Sequence, residues 1–318
     1  MRILFAAHED SWGGFFGLIR SELPQHHFEA TGGFWVKSLE GFDVLIPTMC
    51  PITREALDTA DRLRLIQQCG AGLEGVDLRA ARERNIFVAN VPTEISGNAD
   101  SVAELGIYML IGLSRDPRGM ARSLAGRRMG EPRGRALSGK TVGLVGLGGI
   151  GRALIRRLKA FDVRLIGIKR HNPAAAGEEL GLEWVGGTAD LEPLLIQSDY
   201  VVLCLPASAE TRNLMNPSTF AAMKPGAFLI NLARGALVDR DGLEEALATG
   251  RIAGAGLDVF WEEPPDPEDP IFGYNVLATP HTAGSTDVSV RGIVRAVAEN
   301  IRRVENHQEP LYVKLPGA

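Results

Sequence analysis

Cysteine is scarce in this sequence, and no two cysteines are close together. Cys50, Cys69 and Cys204 form no CxxC pair and lie among apolar residues. The sequence also lacks HExxH and any other cysteine and histidine spacing that is typical of a zinc site. These absences exclude a disulfide framework and a metal motif, and they predict reduced, buried thiols in a cytoplasmic protein.

Long apolar runs and a strong excess of one charge are absent too. The longest apolar stretch near the middle of the chain, residues 105–113, has roughly half the length that a bilayer span needs. His8 and the two acidic residues after it interrupt the first apolar run too early for a signal peptide, so no export is expected. The formal net charge is -5 with both signs mixed, which excludes nucleic acid and membrane as expected partners. No GxSxG motif indicates a nucleophilic serine.

The apolar residues that are present follow a βα pattern. The chain has 318 residues, of which 45% are hydrophobic, and this length favours two domains. A first series of short apolar runs predicts strands near Ile3–Ala7, Val44–Pro47, Leu65–Cys69 and Phe87–Asn90. A helix near Ala99–Leu113, with Asn98 or Ser101 as its cap, follows that series. A second series predicts six more strands, near Thr141–Gly146, Arg164–Lys169, Tyr200–Leu205, Ala227–Leu232, Ala255–Val259 and Val276–Thr279.

This alternation predicts an α/β protein with two Rossmann-like, doubly wound parallel sheets. Residues 97–285 form the expected dinucleotide-binding domain. Residues 1–96 and 286–318 form the expected substrate domain, to which the chain returns after an amphipathic helix near residues 285–305. Because the chain would then cross between the domains twice, we expect a cleft between them that binds a ligand.

A glycine loop in the second series carries the most specific signal. Gly146, Gly148 and Gly151 form GxGxxG directly after a predicted strand and before a predicted helix. In this context the first glycine permits a tight turn, the second lets a pyrophosphate approach the backbone, and the third lets helix and strand pack closely. Gly149 and Ile150 complete the predicted loop. The letters of a P-loop, residues 134–141, lie just upstream, but they lead into a strand rather than a helix and are therefore discounted.

The end of the next predicted strand bears on the choice of cofactor. NAD sites usually place a carboxylate there, about twenty residues into the motif, to bind the ribose hydroxyls. The sequence has Lys169 and Arg170 instead. Two cations suit the 2′-phosphate of NADP(H), which is the predicted cofactor, while a solvated basic turn leaves NAD as the alternative.

These motifs and several others together resemble the D-isomer-specific 2-hydroxyacid dehydrogenase family. The resemblance covers nearly the whole chain, and its further motifs are residues 70–77, 98–104, 223–226, 231–235, 256–260, 263–264 and 279–281. It implies an oxidoreductase that uses NAD(P) to interconvert a small 2-oxo acid and a D-2-hydroxy acid. It also implies a homodimer, which the apolar segment 107–113 favours, while burial of this segment in the core is the alternative.

The resemblance assigns the catalytic set to Arg234, Glu263 and His281. Arg234 matches the arginine that binds the substrate, and its guanidinium suits a carboxylate. His281 follows a predicted strand and precedes small residues, and imidazole can supply a proton near neutral pH. Glu263 matches the carboxylate that supports this histidine, whereas the adjacent Glu262 is expected at the surface. Trp261 has a position that could shape the acyl pocket, with the core or an interface as the alternatives.

The resemblance also assigns binding residues outside this set. Backbone N–H groups of Ala71 and Gly72 are expected to bind the substrate carboxylate. Asp258 is expected near the nicotinamide, with a helix cap or turn as the alternative reading. The expected cofactor site further includes Leu205, Pro206 and Thr211.

Two rival functions remain open at this point. A formate-type dehydrogenase would use the same fold and cofactor. A dinucleotide-sensing interaction protein, of the corepressor type, would retain the same catalytic residues, and measurable turnover would distinguish it from an enzyme.

Overall fold

The structure, a computed structural model, describes residues 1–314 and contains two compact units. Unit 1 comprises residues 1–98 and the described residues from 284 onward, and unit 2 comprises residues 99–283. The last four residues of the predicted substrate domain, 315–318, lie outside the described residues. None of the helices in residues 1–314 is long and apolar enough to cross a membrane.

Strands and helices alternate along most of the chain. The strands are β1 (Arg2–Phe5), β2 (His27–Ala30), β3 (Val44–Ile46), β4 (Leu65–Gln67), β5 (Phe87–Ala89), β6 (Thr141–Val145), β7 (Arg164–Ile168), β8 (Trp184–Gly186), β9 (Tyr200–Leu203), β10 (Ala227–Asn231), β11 (Ile252–Leu257) and β12 (Val276–Ala278). The helices are α1 (Ser11–Glu22), α2 (Arg54–Asp58), α3 (Leu78–Glu83), α4 (Asn98–Arg115), α5 (Pro117–Ala125), α6 (Gly149–Leu158), α7 (Pro173–Leu180), α8 (Leu191–Gln197), α9 (Pro217–Ala222), α10 (Arg240–Ala248) and α11 (Asp287–Glu305).

Unit 1 is a parallel sheet in the order β2-β1-β3-β4-β5. One face is covered by α1 and α11, which pack against each other. Their apolar stripes bury Phe16, Ile19 and Ile301 against Phe5 of β1. This burial is the main source of stability for the unit, because apolar area removed from water contributes about 25 cal/mol per Å². It also fixes the loops at the carboxyl ends of β4 and β5.

Unit 2 is a seven-stranded parallel sheet in the order β12-β11-β10-β9-β6-β7-β8. Helices cover both faces, so β6, β9 and β10 are buried along their whole length, as parallel strands usually are. The chain runs outward from β6 to β8 and then returns to β9 on the other side of β6. The carboxyl ends of β6 and β9 therefore flank a switch point, where open α/β sheets bind their ligands.

The predicted fold class, an α/β fold with parallel sheets, is confirmed. The count of six strands in the second series is wrong, because β8 adds a seventh at the edge of the sheet. The sequence patterns also missed β2 and α5. β8 has three residues and β2 has four, and α5 has nine residues that include a proline, a glycine and two arginines, so none of them has a long apolar period.

One histidine does not have the environment expected from its neighbours in sequence. His26 has polar neighbours typical of a surface residue, yet only 7% of it is exposed. Its ring lies 3.5 Å from the carboxylate of Glu305 at the end of α11. Burial lowers the pKa of His26, although the Glu305 charge acts in the opposite direction. His26 is buried because α11 returns to this point from a distant part of the sequence.

Candidate active site

The glycine loop follows β6 at the switch point of unit 2. Gly146 has φ +103, and a Cβ there would lie 2.6 Å from the carbonyl oxygen of Cys204 at the end of β9. A Cβ on Gly151 would lie 2.4 Å from the carbonyl oxygen of Gly146. Both positions therefore require glycine for packing within the protein.

Gly148 differs from these two glycines because nothing in the protein lies near its missing side chain. A Cβ there would meet no atom within 4 Å, and the residue is exposed as the N-cap of α6. Gly149 and Ile150 form the first turn of α6, and a glycine cap supplies no side chain to its N–H groups. An open backbone at a helix N-terminus fits a pyrophosphate, whose negative charge the helix dipole stabilises.

Basic residues extend from the end of β7. Lys169 follows the strand directly, and its N–H donates to the carbonyl of Gly186 at 3.0 Å. Arg170 is exposed and forms an ion pair with Glu210 at 3.3 Å. Glu210, on the loop after β9, was not singled out by the sequence, because no local pattern links it to a strand end 40 residues earlier.

The loop after β9 contains three predicted cofactor residues, Leu205, Pro206 and Thr211. The hydroxyl of Thr211 accepts the N–H of Ser208 at 2.8 Å and donates to the carbonyl of Pro206 at 3.1 Å. Thr211 thereby links residues 206 and 208 of the same loop through its hydroxyl. Pro206 is exposed beside the switch point, and Leu205 is half-buried.

Arg234 lies in the turn after β10. Asn231 brackets that turn, because its side chain accepts the N–H of Ala233 at 3.0 Å and donates to the carbonyl of Arg234 at 2.8 Å. A Cβ on Gly235 would lie 2.0 Å from the carbonyl oxygen of Phe260, so only glycine permits this approach. The turn after β10 is thus packed directly against the segment that leads to Glu263.

Glu263 and His281 are paired in unit 2. Oε2 of Glu263 lies 2.7 Å from Nδ1 of His281, and Oε1 accepts the N–H of Phe260 at 2.9 Å. Burial acts to raise the pKa of Glu263, but the hydrogen bond and charge of His281, the Phe260 N–H and the Arg234 charge together lower it below its usual value. The carboxylate is therefore ionised at neutral pH and can stabilise an imidazolium.

Asp258 holds the turn that presents His281. Its carboxylate accepts the Thr279 hydroxyl at 2.6 Å and the N–H groups of Thr282 and Ala283 at 2.9 and 3.1 Å. Only 2% of Asp258 is exposed, and burial raises its pKa, although the Thr279 hydroxyl and the His281 charge oppose the shift. These contacts match the alternative reading of Asp258 as a turn residue.

The turn at His281 is strained. His281 has φ +52, a left-handed conformation that costs a non-glycine residue about 1–3 kcal/mol. The hydrogen bonds of Asp258 on both sides of His281 offset this cost. Such strain is typical of functional sites, where surrounding contacts fix a side chain in one direction.

Glu262 and Trp261, the two residues before Glu263, differ from it in exposure and in contacts. Glu262 is exposed. Trp261 packs against the core of unit 2 and donates its indole N–H to the carbonyl of Val238 at 2.6 Å. Its side chain therefore has a structural partner within unit 2.

Ala71 and Gly72 belong to unit 1, in the loop after β4. Ala71 is exposed and Gly72 is half-buried. The loop continues through Leu73 to Val76, which forms a parallel bridge to Ile52. Ala71 and Gly72, whose N–H groups are predicted to bind the substrate carboxylate, thus lie at the carboxyl end of a parallel sheet, as expected for a ligand loop.

Among residues 1–314 there is no group of three or more histidine, cysteine or acidic side chains that could bind a metal ion. The three cysteines are free thiols. Burial raises the pKa of Cys204, beside the glycine loop, to about 12. The candidate site in unit 2 therefore contains a glycine loop, an arginine and a histidine paired with a carboxylate.

Comparison with known proteins identifies the class to which this site belongs. The family model for the D-isomer specific 2-hydroxyacid dehydrogenase NAD binding domain matches residues 107–283. A glyoxylate reductase of Thermococcus litoralis is 35% identical over 282 residues, which cover 85% of this chain and 82% of the relative. The chain belongs to the D-isomer specific 2-hydroxyacid dehydrogenase family, an oxidoreductase family whose NAD binding domain takes a nicotinamide dinucleotide.

Two further comparisons agree with this assignment. The D-3-phosphoglycerate dehydrogenase of Methanocaldococcus jannaschii is 34% identical over 275 residues, which cover 85% of this chain. The chain spans about half the length of that relative, 51%. The crystal structure of the TT0316 protein from Thermus thermophilus has a TM-score of 0.83 and 32% identity, covering 99% of this chain and 100% of that one.

Proposed function

We propose that this protein reduces a small 2-oxo acid to the D-2-hydroxy acid, and catalyses the reverse reaction, with His281 as the acid and base. The observation that carries the proposal is the 2.7 Å contact between Nδ1 of His281 and Glu263. With Nδ1 bonded to the carboxylate, proton exchange with the substrate falls to Nε2. The ionised Glu263 favours the imidazolium that reduction requires.

Each polar residue of the site has a distinct task in this proposal. The reduced nicotinamide, when bound, supplies the hydride. Arg234 binds the substrate and polarises its carbonyl, since its guanidinium is permanently charged. His281 then donates its proton to the developing alkoxide, and in the reverse direction the neutral ring removes it. Asp258 keeps His281 in its strained conformation.

The proposed substrate is a small acid with a carboxylate next to its carbonyl. The relatives named glyoxylate reductase support a small 2-oxo acid. In unit 1 the backbone N–H groups of Ala71 and Gly72 would bind the carboxylate. Backbone donors leave room for a ligand because Ala71 has a methyl group and Gly72 has no side chain.

NADPH is the proposed cofactor, bound by the loop from Gly146 to Gly151. Support comes from the two cations at the end of β7, Lys169 and Arg170, and from the lack of a carboxylate in the residues that directly follow that strand. Glu210 weakens this support, because its ion pair with Arg170 competes with a 2′-phosphate. The pair is exposed on both sides, however, and exposed pairs contribute only about 0–1 kcal/mol.

We also propose a homodimer that forms through α4 and α5, in the cytoplasm. Large apolar side chains on these helices and just after them are exposed, namely Tyr108, Ile111, Met120, Leu124 and Met129. Leu124 is 79% exposed and Met129 is 91% exposed. A cluster of exposed apolar side chains of this kind is typical of a protein interface, and a second copy of the chain would cover it.

An assay of small 2-oxo acids with both reduced cofactors tests the proposed function. The panel contains glyoxylate, hydroxypyruvate and phenylpyruvate, each with NADPH and with NADH. We expect turnover of at least one acid, a D-configured product and a lower KM for NADPH. If no acid is reduced while the dinucleotide binds, the protein is not a 2-oxo acid reductase, and oxidation of formate with NAD(P) then distinguishes a formate-type dehydrogenase from a dinucleotide-sensing interaction protein.

A further inference from the structure

The loop from Gly70 to Gly72 has almost no side chains, so any ligand it binds must be recognised by its backbone. The N–H groups of Ala71 and Gly72 donate to no acceptor among residues 1–314. The carbonyl groups of the same loop do have donors. The carbonyl of Gly70 accepts the N–H of Val91 at 3.2 Å, and the carbonyl of Ala71 accepts Nδ2 of Asn90 at 2.7 Å.

These two hydrogen bonds determine where the two N–H groups point. A trans peptide is planar, and the C=O of one residue points opposite to the N–H of the next. The described cis peptides lie elsewhere, before Pro132 and Pro264. Val91 therefore fixes the direction of the Ala71 N–H through the Gly70 carbonyl, and Asn90 fixes that of the Gly72 N–H through the Ala71 carbonyl.

The side chain of Asn90 forms a hydrogen bond through its amide N–H but not through its amide oxygen, within residues 1–314. Only 7% of Asn90 is exposed, and its Oδ1 is buried with no hydrogen-bond partner within residues 1–314. An unsatisfied buried acceptor is costly, and an apolar residue of similar size would avoid that cost. The one hydrogen bond that its side chain does make goes to the carbonyl of Ala71.

We propose that Asn90 is a positioning residue for substrate binding, which holds the peptide between Ala71 and Gly72 so that the Gly72 N–H points at the substrate carboxylate. This inference rests on the proposed function. Asn90 does not touch the substrate itself. It removes the freedom of the Ala71–Gly72 peptide to rotate, so the backbone donor is already oriented before the carboxylate arrives.

The test compares a 2-oxo acid with its neutral methyl ester in wild type and in Asn90→Leu. A misdirected N–H weakens the interaction with the charged carboxylate more than that with the neutral ester, whose carbonyl forms a weaker hydrogen bond. We expect the KM for glyoxylate to rise about tenfold or more, because hydrogen bonds to charged groups are stronger than neutral ones. The kinetics with methyl glyoxylate and the KM for the cofactor should change by less than about twofold.

Asn90→Asp is the second variant, because an ionised aspartate has the same size but no donor. It should show a selective loss at least as large as that of Asn90→Leu, because its negative charge also repels the substrate carboxylate. Asn275→Leu is the control, since Asn275 also donates its amide to a carbonyl, that of Ala253, at 2.7 Å, but in unit 2. This control should leave the ratio of the KM for the acid to the KM for the ester unchanged. An Asn90→Leu variant whose KM rises equally for acid and ester, or for neither, would overturn the role of Asn90.

Binding of oxalate, measured by calorimetry in the presence of cofactor, separates this inference from the proposed function. If wild type reduces no 2-oxo acid, the proposed function fails. Asn90 is then still tested, because Asn90→Leu should weaken oxalate binding about tenfold and Asn275→Leu should not. Wild type that does not bind oxalate, or an Asn90→Leu variant that binds it equally well, contradicts the inference.

Discussion

Thr279 donates its hydroxyl to Asp258 at 2.6 Å, and through this contact a buried carboxylate holds the turn on which His281 lies. Asp258→Asn should lower kcat about tenfold or more, because an amide cannot accept from three donors and the strained turn loses support. Cofactor binding should change less. Thr279→Val, which removes one donor only, should have a smaller effect on kcat. If Asp258→Asn instead abolishes dinucleotide binding, as measured by fluorescence titration, Asp258 contacts the cofactor directly.

Glu263→Gln should shift the pH profile of reduction to lower pH. The amide carries no negative charge and cannot favour the imidazolium that reduction requires, so the alkaline limb of the profile should move to lower pH. The expected measurement is kcat/KM for a 2-oxo acid between about pH 5 and 9, values that bracket the ordinary range of histidine. An unchanged profile would mean that Glu263 does not control the proton donor.

The same substitution should also change stability in a pH-dependent way. Because the pKa of Glu263 is lowered in the folded protein, its contribution to stability is present above the ordinary glutamate pKa of about 4.3 and is lost as pH falls through the folded value. The difference in melting temperature between wild type and Glu263→Gln should therefore be largest near neutral pH and shrink in acid. A difference that grows in acid contradicts the lowered pKa.

Lys169→Asp combined with Arg170→Ala should raise the KM for NADPH about tenfold or more and affect NADH less, because two cations near the 2′-phosphate are removed. Glu210→Gln is the matched variant and should have the opposite effect on the KM for NADPH, since it removes the ion pair of Arg170. It should lower the KM for NADPH, by at most a few fold for an exposed pair. Equal use of both cofactors by wild type, unchanged in these variants, would mean that the basic turn is only solvated.

Leu124→Glu with Met129→Glu should convert the proposed dimer to a monomer. Both side chains are exposed, so the charges disturb an interface but not the core. Val288→Glu, at an exposed apolar residue on α11 in unit 1, is the control and should leave the mass unchanged. Light scattering at micromolar concentration measures the mass, and a wild-type monomer excludes the dimer.

The sequence predicted those parts of the fold and site that depend on local patterns. Gly146 follows a buried strand and Gly151 lies in the first turn of the helix after it, and the structure provides the close contacts that require glycine at both positions. The Glu263 and His281 pairing came from a family resemblance, since 18 residues separate the two positions. Contacts of this kind depend on the order of strands, which no local period reveals.

The features that the sequence missed are contacts between distant residues and short elements with a weak pattern. Glu210 meets Arg170 because β9 and β7 lie on either side of β6. Asn90 meets Ala71 because β4 and β5 are neighbours. β2 and β8 are short edge strands, whose few residues carry too weak a pattern.

The measurement that tests the account most directly is the turnover of His281→Ala. General acid catalysis typically contributes about 10² to 10⁴ in rate, so kcat for the best 2-oxo acid should fall at least about a hundredfold. Cofactor affinity should be retained, because the loop from Gly146 to Gly151 is untouched, and His307→Ala, at an exposed histidine, should keep full activity. A His281→Ala variant that reduces the acid as fast as wild type would show that another group donates the proton.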